Sequence, residues 1–165
     1  MNFTLKEYFF KLYNHGMIMM LLPITEFLGI YYLILSGILP KVIDDEFGVE
    51  ILLISIPIIV LMMLTIVQLE AGKRCKKIAD ESSLGKKLDL YQPVARRKIN
   101  SLVWVSFLLG IGFFLTSDER FSIYFGVIII WCLWQWPSPR KVASDLKLKG
   151  DERKMVMTKG EAFKI

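Results

Sequence analysis

One acidic residue, Glu26, lies inside a long apolar segment of the sequence, where a carboxyl group is costly. It follows the start of that segment, Met17, by nine residues, which is about 14 Å along a helix and therefore near the middle of a bilayer. A charge at that depth costs about 2.5 kcal/mol or more. Glu26 therefore needs a polar partner within the protein. Ser106, in a later apolar segment, is the polar residue at the best-matching depth.

Glu26 and Ser106 allow two interpretations. In the first, they form an intramembrane polar site that binds a proton, a cation or a polar group of a partner subunit. In the second, a protonated Glu26 joins two helices by a hydrogen bond, and Gly29 and Gly110 let the helix backbones approach. The apolar segments contain no second acid and no Lys or Arg, which argues against a self-contained pump.

The other residues capable of chemistry are few and scattered. The chain has one histidine, His15, and two cysteines, Cys75 and Cys132, with no metal-binding spacing between them. We therefore expect no disulfide, no zinc, haem or iron–sulfur centre, no other cofactor and no catalytic residue set. The acidic cluster at residues 44–46 is expected to be a solvated loop rather than a metal site.

Four apolar segments must position these residues. A helix needs about 20 apolar residues to cross about 30 Å of hydrocarbon, and the last two segments are near the lower limit. A re-entrant hairpin is the alternative for that pair, but the polar connection between them favours two antiparallel helices. The sequence thus predicts an all-α integral membrane protein with a four-transmembrane-helix bundle at residues 17–136 and spans at 17–38, 51–69, 99–115 and 121–136.

Lys and Arg residues alternate in density along the chain. The N-terminal segment, the connection 70–98 and the tail 137–165 together hold 19 of them, whereas the other two connections hold 2. Basic residues collect on the cytoplasmic side of membrane proteins. The count therefore predicts an N-in, C-in topology in the cell membrane (plasma or inner), with both termini cytoplasmic. The tryptophans near the end of the fourth span agree, because Trp favours the interface: Trp131, Trp134 and Trp136.

The polar segments also carry local signals. Residues 1–16 have a helical pattern of aromatic and charged residues, which predicts an amphipathic helix that either lies in the inner interface or lengthens the first span. In the connection 70–98, the second helix should continue for two or three turns, break near Ser82–Gly85 and give way to a new helix at Pro93.

The tail should form small cytoplasmic elements. Ser138 is a good N-cap and Pro139 suits the first helical position, so a short helix to about Leu148 is expected. After Gly150 the pattern fits either a small β-hairpin over residues 155–165 or a frayed helix.

The basic segments offer contacts for anionic lipid headgroups or for an acidic partner, although topology alone explains much of their charge. Because the charge flanks membrane spans, it does not indicate nucleic-acid binding. The nine residues expected to make these contacts are Lys73, Arg74, Lys76, Lys77, Arg96, Arg97, Lys98, Arg140 and Lys141.

Three functions fit these features. The first is a non-catalytic subunit or scaffold of a larger membrane complex, which binds other membrane proteins or itself. The second is a homo-oligomeric transporter or channel with Glu26 on the path, since four spans alone rarely enclose a pore. The third, a lipid-modifying enzyme, would have only Glu26, His15 and interfacial aromatic residues to use.

Overall fold

A computed structural model describes residues 4–160, and every regular element in that range is an α-helix. Three helices are long and apolar enough to cross a membrane, or four if the short fourth and fifth helices form one bent span. The expected all-helical, multi-span character is confirmed at that level. The helices are α1 (Leu5–Leu35), α2 (Glu46–Ala79), α3 (Leu84–Thr116), α4 (Arg120–Trp134), α5 (Pro139–Asp145) and α6 (Gly150–Met157).

The connection between α1 and α2 is set by two local features. Gly37 has a φ of +70°, a conformation that favours glycine and ends a right-handed helix. Asp45 then caps α2, because its carboxylate accepts a hydrogen bond from the Gly48 backbone N–H at 2.8 Å. The second helix therefore begins five residues before the expected start of the second span.

The connection after the second span is mostly helical. α2 continues ten residues past Leu69 to Ala79, almost three turns, and α3 begins at Leu84, so the expected extension and break are confirmed. The expected helix start at Pro93 is wrong, because α3 runs through it without interruption. Pro93 lies on an exposed face, where water can bind the carbonyl group that the missing proline N–H leaves free.

The tail confirms the expected start of its first helix and decides between the two alternatives for its last segment. The Ser138 hydroxyl accepts a hydrogen bond from the Lys141 backbone N–H at 3.2 Å, and Pro139 opens α5, which ends at Asp145 rather than near Leu148. Residues 155–157 belong to α6, where Val156 is fully buried, so the helix is confirmed there and the hairpin is wrong. An isolated two-stranded hairpin is marginal, whereas this helix buries an apolar side chain. The expected second strand, residues 161–165, lies outside the described residues.

The N-terminal segment, from residue 5 onward, is the first part of α1, which continues without a break through Gly16. This arrangement agrees with the alternative in which the segment lengthens the first helix. Tyr8, Phe9 and Leu12 are buried in a protein core, so the apolar side of this segment contacts other helices of the chain.

The chain divides into two compact units by its contacts. Unit 1 comprises residues 1–18, 67–98 and 135–165, and unit 2 comprises residues 19–66 and 99–134. Unit 1 contains 19 Lys and Arg and 9 Asp and Glu, a net charge of +10. Unit 2 contains 2 Lys and Arg and 7 Asp and Glu, a net charge of −5. The division by contacts therefore places 19 basic residues in unit 1 and 2 in unit 2. The order of apolar segments and connections along the sequence gives the same division.

Aromatic and aliphatic side chains fill the core of unit 2. Phe27 stacks on Phe125 with ring centroids 4.1 Å apart and on Phe113 at 5.1 Å. Gly112 permits a close helix contact, because a Cβ atom at this position would lie 2.5 Å from the Phe121 ring. The short loop after α3 is closed by Asp118, whose carboxylate accepts hydrogen bonds from the backbone and guanidinium of Arg120 at 2.9 Å.

Unit 1 has a separate apolar core, to which five helices contribute. Leu88 and Tyr91 of α3, Val142 of α5 and Val156 of α6 are all at most 1% exposed. Because segments distant in sequence meet here, unit 1 depends on long-range contacts rather than on single helices.

Candidate functional site

Glu26 projects from α1 toward a glycine of α3 within unit 2. A Cβ atom added to Gly110 would lie 2.8 Å from Glu26 Oε1 and 3.1 Å from Oε2. The carboxyl group therefore occupies the space that a side chain at position 110 would need. Glu26 Oε2 is buried and has no hydrogen-bond partner among the described residues. The atoms nearest to position 110 belong to the Glu26 side chain rather than to a helix backbone, and a Cβ atom at Gly29 would meet nothing within 4 Å. The two glycines therefore do not mark the expected close approach of helix backbones; Gly110 instead makes room for the carboxyl group.

Ser106 is buried one helical turn before Gly110 on α3. Its hydroxyl donates a hydrogen bond to the Leu102 carbonyl of the same helix at 2.8 Å. The hydroxyl proton is therefore already used within α3. Ser106 also lines a small void with Pro23 and Cys132.

The nine basic residues expected to contact headgroups or partners separate into two groups. Three form ion pairs inside unit 1: Arg97 with Glu70 at 2.7 Å, Lys98 with Asp145 at 2.9 Å and Lys141 with Asp145 at 3.7 Å. The other six are exposed and form no ion pair within the part of the chain that the structure describes: Lys73, Arg74, Lys76, Lys77, Arg96 and Arg140.

Asp145 is the centre of a buried polar network that sequence reasoning missed. Its Oδ2 accepts hydrogen bonds from Lys98 Nζ and from the Tyr91 hydroxyl, both at 2.9 Å. The side chains of Lys98 and Asp145 are only 11% and 14% exposed. Tyr91 and Lys98 are two turns apart on one face of α3, a spacing that could have indicated a shared environment. Lys98 is therefore occupied inside the protein rather than presented to a headgroup.

A second ion pair joins α3 to α6 in the same unit. Lys87 Nζ lies 2.8 Å from Glu152 Oε2, and the lysine side chain is almost fully buried. Together with the Asp145 network, this pair connects the tail helices to α3 at two places.

No family model, curated protein or solved structure matches this chain. Within residues 4–160, no group of three His, Cys, Asp or Glu side chains is arranged to hold a metal ion.

Proposed function

We propose that this chain is a small non-catalytic subunit or scaffold of a larger membrane complex, held by a four-transmembrane-helix bundle with both termini in the cytoplasm. The observation that carries the proposal is unit 1, a compact basic body with its own apolar core and internal ion pairs. It is built from the three segments that the charge count assigns to the inner face. A body of this kind provides a rigid surface for contacts at that face.

The long helices supply the membrane anchor. In the most apolar 18-residue stretch of α1, only 11% is buried inside the protein, and in the corresponding stretch of α2 only 22% is buried. Such exposed apolar helices require lipid or another apolar protein around them. α4 has 15 residues, about 22 Å of helix, so as a span it would stand close to the membrane normal or use its flanking residues.

Purification from mild detergent after crosslinking in the native membrane tests the proposal. We expect one or more membrane proteins in fixed stoichiometry with this chain, or a defined homo-oligomer. A tagged, unrelated multi-pass protein purified in parallel is the control for nonspecific capture. A monodisperse monomer without stoichiometric partners, at native expression and after crosslinking, would contradict the proposal.

A second candidate, a homo-oligomeric transporter or channel, is favoured by one observation. The Oε2 atom of Glu26 is a buried acceptor without a hydrogen-bond partner among residues 4–160, and such an atom can bind a proton or a cation. Glu26→Gln should then abolish proton or cation flux in liposomes, whereas Glu119→Gln, in the exposed loop before α4, should leave it unchanged. Absence of flux from the natural protein would dismiss this candidate.

A further inference from the structure

Four basic residues of α2 form an exposed cluster: Lys73, Arg74, Lys76 and Lys77. Ala71, Cys75 and Ile78 on the same helix are buried in the core of unit 1. At 100° per residue, these apolar positions lie on the side of the helix opposite Lys73 and Lys77. The cluster is therefore held on a fixed helix face, with its ammonium and guanidinium groups directed away from the core.

No carboxylate within residues 4–160 forms an ion pair with this cluster. Two acids that flank the cluster are engaged elsewhere, because Glu70 pairs with Arg97 and Glu81 pairs with Lys86, each at 2.7 Å. Asp80 forms no ion pair with the cluster within the described residues. Four like charges within five residues repel one another, so an external anion would stabilise them.

The position of the cluster identifies the anion. Leu69 ends the uncharged apolar segment 51–69, and its side chain is 62% exposed. Lys73 follows one helical turn later on the same face, about 6 Å along the axis. Phosphate groups of lipids lie at this distance from the hydrocarbon boundary. An acidic soluble protein would have to enter the headgroup layer to reach the same side chains.

We propose that Lys73, Arg74, Lys76 and Lys77 form a binding surface for the phosphate groups of anionic lipids in the inner leaflet. The inference rests on the proposed topology, which assigns unit 1 to the inner face. The four residues of the α2 cluster thus have a different role from the basic residues that form ion pairs inside unit 1. Arg97 joins α3 to α2 through Glu70, and Lys98 joins α3 to α5 through Asp145, whereas Lys141 pairs with Asp145 within α5. Within residues 4–160 the α2 cluster forms no ion pair that would compete with a ligand.

The test compares two variants with the same net charge. In the first, Lys73, Arg74, Lys76 and Lys77 are each changed to Gln. In the control, four exposed basic residues of the tail are changed to Gln: Lys147, Lys149, Arg153 and Lys154. Both variants keep 15 basic residues in unit 1 against 2 in unit 2, so the charge asymmetry that sets orientation persists. The melting temperature of each variant in detergent shows whether it is folded.

Phosphatidylglycerol or phosphatidylcholine is added to each detergent-purified protein, and native mass spectrometry counts the lipid molecules that remain bound. The measured quantity is the affinity of each protein for each of the two lipids. Each basic residue near a membrane surface contributes about fivefold in affinity, or about 1 kcal/mol. We expect the natural chain to prefer phosphatidylglycerol by at least about tenfold, the α2 variant to lose this preference, and the tail variant to keep it.

Three outcomes would overturn the inference. The first is equal loss of the preference in both variants, which indicates a general charge effect. The second is no preference in the natural chain, and the third is an unchanged preference in the α2 variant, whether or not that variant loses an acidic protein partner. These outcomes are separate from the crosslinking result. A chain that binds no anionic lipid can still have stoichiometric partners, and a solitary chain can still bind the lipid.

Discussion

Removal of the Asp145 carboxylate should increase the fraction of molecules in which unit 1 is open, although it changes none of the apolar side chains of the unit. Asp145→Ala leaves the Lys98 ammonium buried without its carboxylate and the Tyr91 hydroxyl without its acceptor, each of which is 2.9 Å from Asp145 Oδ2. Loss of one partner from a buried ion pair costs about 3–5 kcal/mol. We expect a loss of this size in the free energy of opening of unit 1.

Cys75 reports this opening. It is 5% exposed in the core of unit 1, so a maleimide reaches its thiol only when the unit opens. In a Cys132→Ala background, the labelling rate is proportional to the open population. A change of 3 kcal/mol corresponds to roughly 160-fold faster labelling. Asp151→Ala, at an exposed position of α6, should change the rate by less than about threefold, because surface substitutions alter stability by within ~0.5 kcal/mol.

A compensating variant separates the unpaired charge from lost packing. Replacement of a buried ion pair by apolar residues of similar volume is often neutral or stabilising. Lys98→Met combined with Asp145→Leu and Tyr91→Phe should therefore restore slow labelling. The network does not stabilise unit 1 if Cys75 in the Asp145→Ala variant is labelled at the natural rate. The same conclusion follows if Cys75 in the triple variant is labelled as fast as in Asp145→Ala.

Two further predictions concern unit 2. Gly112→Ala places a Cβ atom 2.5 Å from the Phe121 ring, so we expect the free energy of unfolding to fall by about 1–3 kcal/mol and the melting temperature to fall with it. In the control Gly126→Ala, the added Cβ atom meets nothing within 4 Å, so the melting temperature should not fall. Equal melting temperatures for the two variants would contradict the close packing at Gly112. Hydrogen bonds from Arg120 hold the pKa of Asp118 below its ordinary value, so the ionised Asp118 adds stability above its unfolded pKa of about 3.9. This contribution is lost as the pH falls through the lower folded pKa. Asp118→Asn should therefore lower the melting temperature at about pH 7, and the difference from the natural chain should shrink as the pH is lowered below the unfolded pKa.

The helices were predictable because apolar runs and end signals are local. Ser138 and Pro139 marked the start of α5 correctly, and the apolar length of residues 51–69 marked a span that α2 contains. The predicted helix start at Pro93 was wrong because the effect of a proline inside a helix depends on whether the freed carbonyl group can bind water. That is a property of the folded surface, on which Pro93 is exposed. For residues 155–157 the sequence left a hairpin and a helix open, because the burial of Val156 that favours the helix depends on contacts that no local pattern encodes.

The candidate sites were predictable only in part. The apolar surroundings of Glu26 identified it, whereas Gly110, which was expected to let helix backbones approach, instead makes room for the Glu26 carboxyl group. The sequence could not separate Lys98 from Lys73, because both lie in basic segments. Folding brings Asp145, 47 residues away in sequence, to Lys98. No acid within residues 4–160 forms an ion pair with Lys73.

Cysteine accessibility in intact cells tests the central claim most directly, namely a multi-span protein with unit 1 at the inner face. Single cysteines would be introduced by Lys41→Cys, Glu119→Cys, Ser82→Cys and Lys147→Cys in a Cys75→Ala, Cys132→Ala background. The proposed topology predicts that a membrane-impermeant maleimide labels the first two in intact cells and labels the last two only after lysis. Labelling of the Ser82→Cys or Lys147→Cys protein in intact cells would contradict it.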